Sequence, residues 1–239
     1  MEKTERIERK KLAILAFGGA GIRFGWVKPK QFFPIKKDKT LLEYLVEKFL
    51  NFNLFDDILV LSPPNYIEET KQLLEKYGKN KVHITCGGNT REHSIWNGLL
   101  FFQEHIKNIK DDDIVLIHDG ARPNIDKVIV EKNLESCEKY HAVVTAIMPY
   151  DTVSFSNNGC KIDQIINRNN IKLHQTPQTF KFGIIKNAME KNIENLHQFS
   201  DDASLVIASG YDVFYIEGSR LNIKITTRED LLIVTNLIF

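Results

Sequence analysis

The sequence predicts a doubly wound α/β fold with a mainly parallel sheet and one protruding β-arm, on three observations. Short β-rich apolar runs alternate with helix-length patterned runs from Leu12 to Ile147, the signature of successive βαβ units. Several helix starts carry side-chain caps. After Pro149 the alternation gives way to two short runs around Asn157-Asn158-Gly159, a hairpin turn.

Taken in order, the strands and helices pair as Leu12–Phe17 with Leu41–Leu50, Ile58–Leu61 with Tyr66–Lys76, and Val82–Thr85 with Arg91–His105. Ile114–Ile117, Val128–Glu138 and Ala142–Ile147 continue the series. Thr40 precedes Glu43, and Asn89 precedes Glu92, each by the spacing of a reciprocal capping box. Pro63-Pro64 closes the second strand. The arm comprises Asp151–Phe155 and Lys161–Ile166; helical runs follow at Phe180–Lys191 and Asp202–Ser209, then a strand at Asp212–Ile216 and a helix from Thr227. The expected organisation is one domain over 1–239, with residues 150–168 as an arm within it.

Composition excludes several classes of function. Basic and acidic residues number 32 and 31, so the broad positive face of a general nucleic-acid binder is not expected. Any anion must be held locally. The three cysteines, Cys86, Cys137 and Cys160, form no C-x-x-C pair and argue against a disulfide framework or structural zinc. Met1 to Lys11 is charged and lacks the apolar stretch of a signal peptide, and no window approaches the roughly 20 apolar residues of a membrane span. A cytoplasmic enzyme with a weakly docked N-terminal extension is the expectation.

Four segments carry residues suited to nucleotide chemistry. The first strand runs into Gly18-Gly19-Ala20-Gly21-Ile22-Arg23-Phe24-Gly25, with Lys28-Pro29-Lys30-Gln31 beyond. Glycines after a first strand let backbone N–H groups approach phosphates, and nearby cations neutralise them. Neither the Gly-Lys-Ser/Thr ending of a P-loop nor the third glycine of a dinucleotide fingerprint is present. A tight βα turn with surface lysines is the plainer reading of the same composition. At the fourth strand, His118-Asp119-Gly120-Ala121-Arg122-Pro123 puts a carboxylate where doubly wound sheets bind ligands, and Asp119 suits a nucleotide-borne Mg²⁺. His118 is open between a hydrogen-bonded structural role and a catalytic base; Arg122 is open between a site cation and a surface ion pair. Gly87-Gly88-Asn89-Thr90-Arg91-Glu92-His93-Ser94 opens a helix with groups able to read a base edge, and Asn222-Ile223-Lys224-Ile225-Thr226-Thr227 puts a lysine on a short strand.

The order of these segments, together with DTVS, NRNNIKLHQTPQTF and DDAS, resembles the polyol-phosphate cytidylyltransferase family that contains the 2-C-methyl-D-erythritol 4-phosphate and ribitol 5-phosphate enzymes. The likeness runs from about residue 12 to 237. It implies a Rossmann-like nucleotidyltransferase fold, transfer of CMP from CTP to a small polyol phosphate, a divalent cation, and a homodimer joined through the arm. Arg23, Lys30 and Lys224 match the family's catalytic cations. Phe17, Gly18, Gly19, Gly21, Gly88, Asn89, Arg91, Ser94 and Asp119 match positions that hold the nucleotide, with Asp119 facing the metal. Arg122, Thr152, Arg168, Thr176, Ser200 and Thr226 match positions around the acceptor, with Thr152 and Arg168 serving the neighbouring subunit's site.

The match is not uniform. Asn89 stands where aspartate is frequent, Gly120 replaces an alanine, Asn167 replaces the commoner aspartate before the arginine, and Ser200 replaces a threonine. HDGARP, DTVS, DDAS and the spacing from Arg23 to Lys30 look like the methylerythritol enzymes, of the isoprenoid precursor pathway. The Gly18-Gly19 pair looks like the ribitol enzymes, which make CDP-ribitol for cell-surface polymers. Methylerythritol phosphate is the favoured acceptor. Two rivals are a sugar-1-phosphate transferase, which should lack the TPQ and NIKITT segments, and a non-catalytic nucleotide-binding regulator, which should have lost these cations.

Overall fold

The computed structural model describes residues 9–17, 28–36, 39–78 and 80–238. Strand β1 (Lys11–Ala16) is an almost continuous apolar run, as expected of a strand covered on both faces. Short strands β2 (Pro34–Lys36) and β3 (Lys39–Thr40) pair antiparallel ahead of helix α1 (Leu41–Phe52). The alternation continues through β4 (Asp57–Ser62), α2 (Ile67–Leu74), β5 (Val82–Cys86), α3 (Arg91–His105), β6 (Ile114–Asp119), α4 (Lys127–Tyr140) and β7 (Ala142–Ile147). Arm strands β8 (Val153–Phe155) and β9 (Gln164–Ile166) follow, then β10 (Leu173–Lys181), α5 (Phe182–Lys191), α6 (Asp202–Ala208), β11 (Phe214–Glu217) and α7 (Arg228–Ile238).

The main sheet has the order β11-β7-β10-β6-β1-β4-β5. All its pairings are parallel except those of β10, which is antiparallel to both β6 and β7. Alternate residues of β1 serve opposite cores. Ala13 and Leu15 pack with Leu45, Val46 and Phe49 of α1 and Val130 of α4, whereas Leu12 and Ile14 pack with Ile95, Leu99 and Phe102 of α3. The chain winds outward from β1 to β5, then returns to β6 on the other side of β1. The carboxyl ends of β1 and β6 therefore flank the switch point where doubly wound sheets hold ligands.

Three expectations need correction. Leu173–Lys181 is a strand inside the sheet, and the helix starts at Phe182 rather than Phe180. Pro177 speaks against a central strand because it cannot donate to a ladder, and the structure places it where the register shifts between His174 and Gln178. The cap of α3 is Thr90, whose side chain accepts from the His93 amide, not Asn89; the Thr40–Glu43 capping box of α1 forms as the spacing predicts. Lys224 lies on irregular backbone rather than a strand, anchored by Ile225, whose amide donates to the Ala121 carbonyl (2.8 Å).

The arm pairs Val153 with Ile166 and Phe155 with Gln164, and its loop around Gly159 is longer than a two-residue turn. Phe155, Ile162 and Ile165 are exposed on it. No helix among the described residues is long and apolar enough to cross a membrane.

Candidate active site

Every residue of β6 is buried, and the strand ends on Asp119, which is 6% exposed. Three cations surround its carboxylate. Lys224 Nζ lies 2.7 Å from Oδ2, Arg91 Nε 3.2 Å from Oδ1, and Arg122 Nε 3.8 Å from Oδ2. Burial would raise the carboxyl pKa, but the charges of Arg91, Lys224 and Arg122 overcome it and hold the group far below the ordinary carboxylate range. Asp119 is thus an anion at the focus of three cationic side chains.

Arg91 also forms a bidentate pair with Asp202 at 3.0 and 2.7 Å. Burial opposes its charge, while Asp202 and Asp119 favour it more strongly, so Arg91 stays charged. Arg122 Nη1 donates to the Asn222 carbonyl (2.8 Å), whereas its buried Nε–H has no hydrogen-bond partner. The buried Asn222 amide donates to the Thr176 carbonyl (2.8 Å), and Ile225 fills a small core with Leu41, Val234 and Ile238. These anchors hold irregular backbone still and present Lys224 to Asp119.

His118 resolves to the structural reading. The Asp119 amide donates to Thr176 Oγ1 (3.0 Å), that hydroxyl faces His118 Nδ1 (3.1 Å), and His118 Nε2 faces the Arg122 carbonyl (3.0 Å). A carbonyl can only accept, so Nε2 carries the proton and Nδ1 accepts from Thr176. Burial pushes the imidazole down to about 4, which leaves it neutral at pH 7 with both nitrogens occupied. It holds the HDGARP turn and has no free nitrogen with which to act as a base.

Two clefts meet at Asp119. The first, about 380 Å³, lies outside β1 and β6 and is lined by Phe17, Lys30, Gln31, Asn89, Thr90, Arg91, Ser94, Asp119, Gly120 and Lys224, among others. Lys30, half-buried, donates to the Ile225 carbonyl (2.6 Å), which draws the Pro-Lys-Gln segment to the Lys224 backbone. Ser94 Oγ accepts from the Gly88 amide (2.9 Å) and donates to the Thr90 carbonyl (2.7 Å), fixing the turn that presents Asn89. A Cβ on Gly88 would meet His93 Cβ at 2.6 Å, so this turn requires glycine. The exposed Asn89 amide makes no hydrogen bond to the described residues.

Gly120 is tied to a specific neighbour. A Cβ there would stand 2.2 Å from Phe17 Cδ1, and Phe17, only 4% exposed, has little room to turn. Gly120→Ala is expected to cost about 1–3 kcal/mol by overpacking. Phe17→Leu in the same chain should recover part of that loss. Thermal melts of both single variants and the double variant check this; strictly additive losses would contradict the steric coupling.

The second cleft, about 360 Å³, shares Arg91, Asp119 and Lys224 with the first and adds Arg122, Lys172, His174, Gln175, Thr176, Gln178, Ser200 and Asp201. Of the sequence-predicted residues, Phe17, Lys30, Asn89, Arg91, Ser94, Asp119, Arg122, Thr176, Ser200 and Lys224 thus line one cleft or both. Gly88 supports the first through Ser94, and Thr226 lies beside Lys224, its hydroxyl on the Lys224 carbonyl (3.3 Å). Thr152 and Arg168 line neither; they flank the arm, where Arg168 donates to the Tyr150 carbonyl. Gly18, Gly19, Gly21 and Arg23 lie outside the described residues. Sequence reasoning assigned nothing to Asp202, His174 or Asp201. Asp202 was visible only as part of the DDAS segment, and its partner Arg91 lies 111 positions away.

The IspD family model, 2-C-methyl-D-erythritol 4-phosphate cytidylyltransferase, matches residues 12–238. The enzyme of that name from Thermosipho africanus is 43% identical over 92% of this chain and 94% of its own. The crystal structure of 4-diphosphocytidyl-2C-methyl-D-erythritol synthase from Anaerococcus prevotii superposes with a TM-score of 0.80 at 26% identity, covering 96% of this chain and 98% of that one. The Francisella tularensis 2-C-methyl-D-erythritol 4-phosphate cytidylyltransferase structure gives 0.80 at 29%, covering 96% and 100%. A match over nearly the whole length of the chain identifies it as a member of the 2-C-methyl-D-erythritol 4-phosphate cytidylyltransferase family.

Proposed function

We propose that this protein transfers CMP from CTP to 2-C-methyl-D-erythritol 4-phosphate, releasing pyrophosphate, in the synthesis of isoprenoid precursors. The observation that carries the reading is the pair of clefts joined at Asp119, Arg91 and Lys224. CTP occupies the first, with its base at Gly88, Asn89 and Ser94 and its phosphates toward Lys30 and Lys224. By resemblance to the family, Arg23 and the glycines of its loop, outside the described residues, would also contact the phosphates. The acceptor occupies the second, which is lined by Thr176, Ser200 and the guanidinium of Arg122, cationic and hydroxyl groups suited to an oxygen anion.

An acceptor phosphate oxygen attacks the α-phosphorus of CTP as the bond to the bridging oxygen of the β-phosphate breaks, and pyrophosphate leaves with that electron pair. The nucleophile is already anionic, so no strong base is needed; placement and neutralisation of charge supply the acceleration. A neutral, fully engaged His118 agrees with this chemistry.

Mg²⁺ belongs to this reading. Among the described residues no cluster of three or more His, Cys, Asp or Glu forms a metal cage. One carboxylate at the nucleotide cleft fits a cation that takes most of its ligands from phosphates and water. Asp119 would hold that ion, whose contribution is to neutralise phosphate charge.

The proposal includes a homodimer and a cytoplasmic site of action. Exposed Phe155, Ile162 and Ile165 suit the arm to a protein surface, and Thr152 and Arg168 at its base would reach the partner's second cleft. Free Cys86 and Cys160, both exposed, fit a reducing compartment. In the deciding assay, pyrophosphate should appear only when CTP, Mg²⁺ and 2-C-methyl-D-erythritol 4-phosphate are present together. Preference for ribitol 5-phosphate would overturn the acceptor; equal turnover with ATP would overturn the assignment of the base-reading segment.

A further inference from the structure

We propose that His174, held by Asp201, binds the acceptor, its Nε2 donating to a phosphate oxygen of the polyol phosphate in the second cleft. The inference rests on the reading of that cleft as the acceptor site. His174 lines it together with Arg122, Thr176 and Ser200. Its Nδ1 lies 2.8 Å from Asp201 Oδ2. Asp201 is itself immobilised: Oδ1 accepts from the Ser204 amide (2.8 Å) and Oδ2 from Gln178 Nε2 (2.9 Å). The carboxylate that orients the ring is therefore saturated and fixed, and the ring's other nitrogen is left open. Nε2 makes no hydrogen bond to any described residue, and the side chain is 40% exposed.

The charges around the ring favour an anionic ligand. Asp201 faces it from the segment before α6; Lys172 lies two residues earlier in the chain; Arg91, Asp119, Arg122 and Lys224 face the same cleft from β6, α3 and the C-terminal segment. Arg91 is taken by Asp202 and Asp119, Lys224 by Asp119, and the Lys172 ammonium lies over the Tyr215 ring, 4.5 Å from its centroid. Among the described residues of this cleft, His174 Nε2 is thus an exposed ring nitrogen with no hydrogen-bond partner, alongside an Arg122 Nε–H that likewise has none but is buried. The hydrogen bond to Asp201 raises the imidazole pKa against the opposing effect of burial, and Asp201 stays ionised because its donors outweigh its own burial. In its protonated form the ring donates from both nitrogens, one to Asp201 and one into the cleft.

The test compares the full-length wild type with His174→Gln, which removes the charge and keeps a polar side chain, and with His174→Ala. Steady-state kinetics from pH 6 to 9 would give KM for 2-C-methyl-D-erythritol 4-phosphate and for CTP separately. At pH 6 the glutamine variant should raise the acceptor KM about tenfold, as expected for loss of one charge-assisted hydrogen bond. The gap should close as pH rises through the imidazole titration, with KM for CTP and the melting temperature unmoved. Equal rises in both KM values, a lower melting temperature with normal KM values, or a loss that does not vary with pH would each overturn the assignment. A second readout does not require turnover. The His174 Cε1–H resonance should shift on adding inorganic phosphate to wild type, and an unmoved resonance would refute the contact. Failure of wild type to use this acceptor would instead strike at the proposed function, leaving the resonance to decide the fate of His174.

Discussion

Lys30→Ala is expected to lower kcat at least about a hundredfold while leaving the fold intact, the size of effect seen when one preorganised donor to a developing charge is removed. Lys30 stands on a short 3-10 turn (Lys30–Phe32) at the edge of the first cleft, and its ammonium is drawn toward the backbone beside Lys224. That placement puts the Lys30 ammonium at the same cleft as Lys224, which Asp119 holds at 2.7 Å, along the path proposed for the phosphates. The variant loses the hydrogen bond to the Ile225 carbonyl, but the Ile225 amide remains bonded to Ala121 and its side chain remains in its core. A melting temperature close to wild type together with the collapse in kcat would fit. Near-normal kcat in the folded variant would remove Lys30 from the reaction.

The arm gives the second large effect. On the proposed dimer, Arg168→Ala and Lys30→Ala should each be inactive alone, because each would remove a cation from both active sites. Mixed in equal amounts and allowed to exchange subunits, they should recover about a quarter of wild-type activity, since half the dimers pair unlike chains and each of those holds one intact site. On the proposed dimer, the intact site would combine the Lys30 body of one chain with the Arg168 arm of the other. Recovery is measured as pyrophosphate release after exchange. No recovery despite demonstrated heterodimers would place Arg168 in its own subunit's chemistry and end the proposal that the arm serves a neighbour.

How much of this was legible in the sequence follows from how local each signal is. The β1-to-β7 alternation is written in side-chain periodicity, which depends only on neighbours along the chain, and those elements form within a few residues of where the pattern puts them. The Thr40–Glu43 box is equally local. β10 was hidden because a proline within Thr176-Pro177-Gln178 argues against a central strand, and only the tertiary ladder to β6 and β7 accommodates it. Lys224 was found by resemblance, yet its backbone was misread. What steadies it is the Ile225–Ala121 hydrogen bond and the pairing of Arg122 with the Asn222 carbonyl, contacts made across about a hundred positions of chain.

The site shows the same division. Asp119 could be placed from its strand end alone, because the switch point of a doubly wound sheet is a property of topology. That its charge is balanced by Arg91, with Asp202 behind, could not be read from spacing. Nor could the Phe17–Gly120 contact. Each residue appears in its own motif, and the collision distance emerges only when β1 and β6 lie side by side with Ala16 opposite Asp119.

The proposed sharing of these cations between two substrates is measured most directly in a crystal of the wild-type protein grown with CTP and Mg²⁺. The α-phosphorus should lie at the junction of the two clefts, within reach of both Lys30 and Lys224, with the cytosine at Asn89 and the second cleft open beyond it. A triphosphate lying in the second cleft, or held far from both lysines, would contradict it.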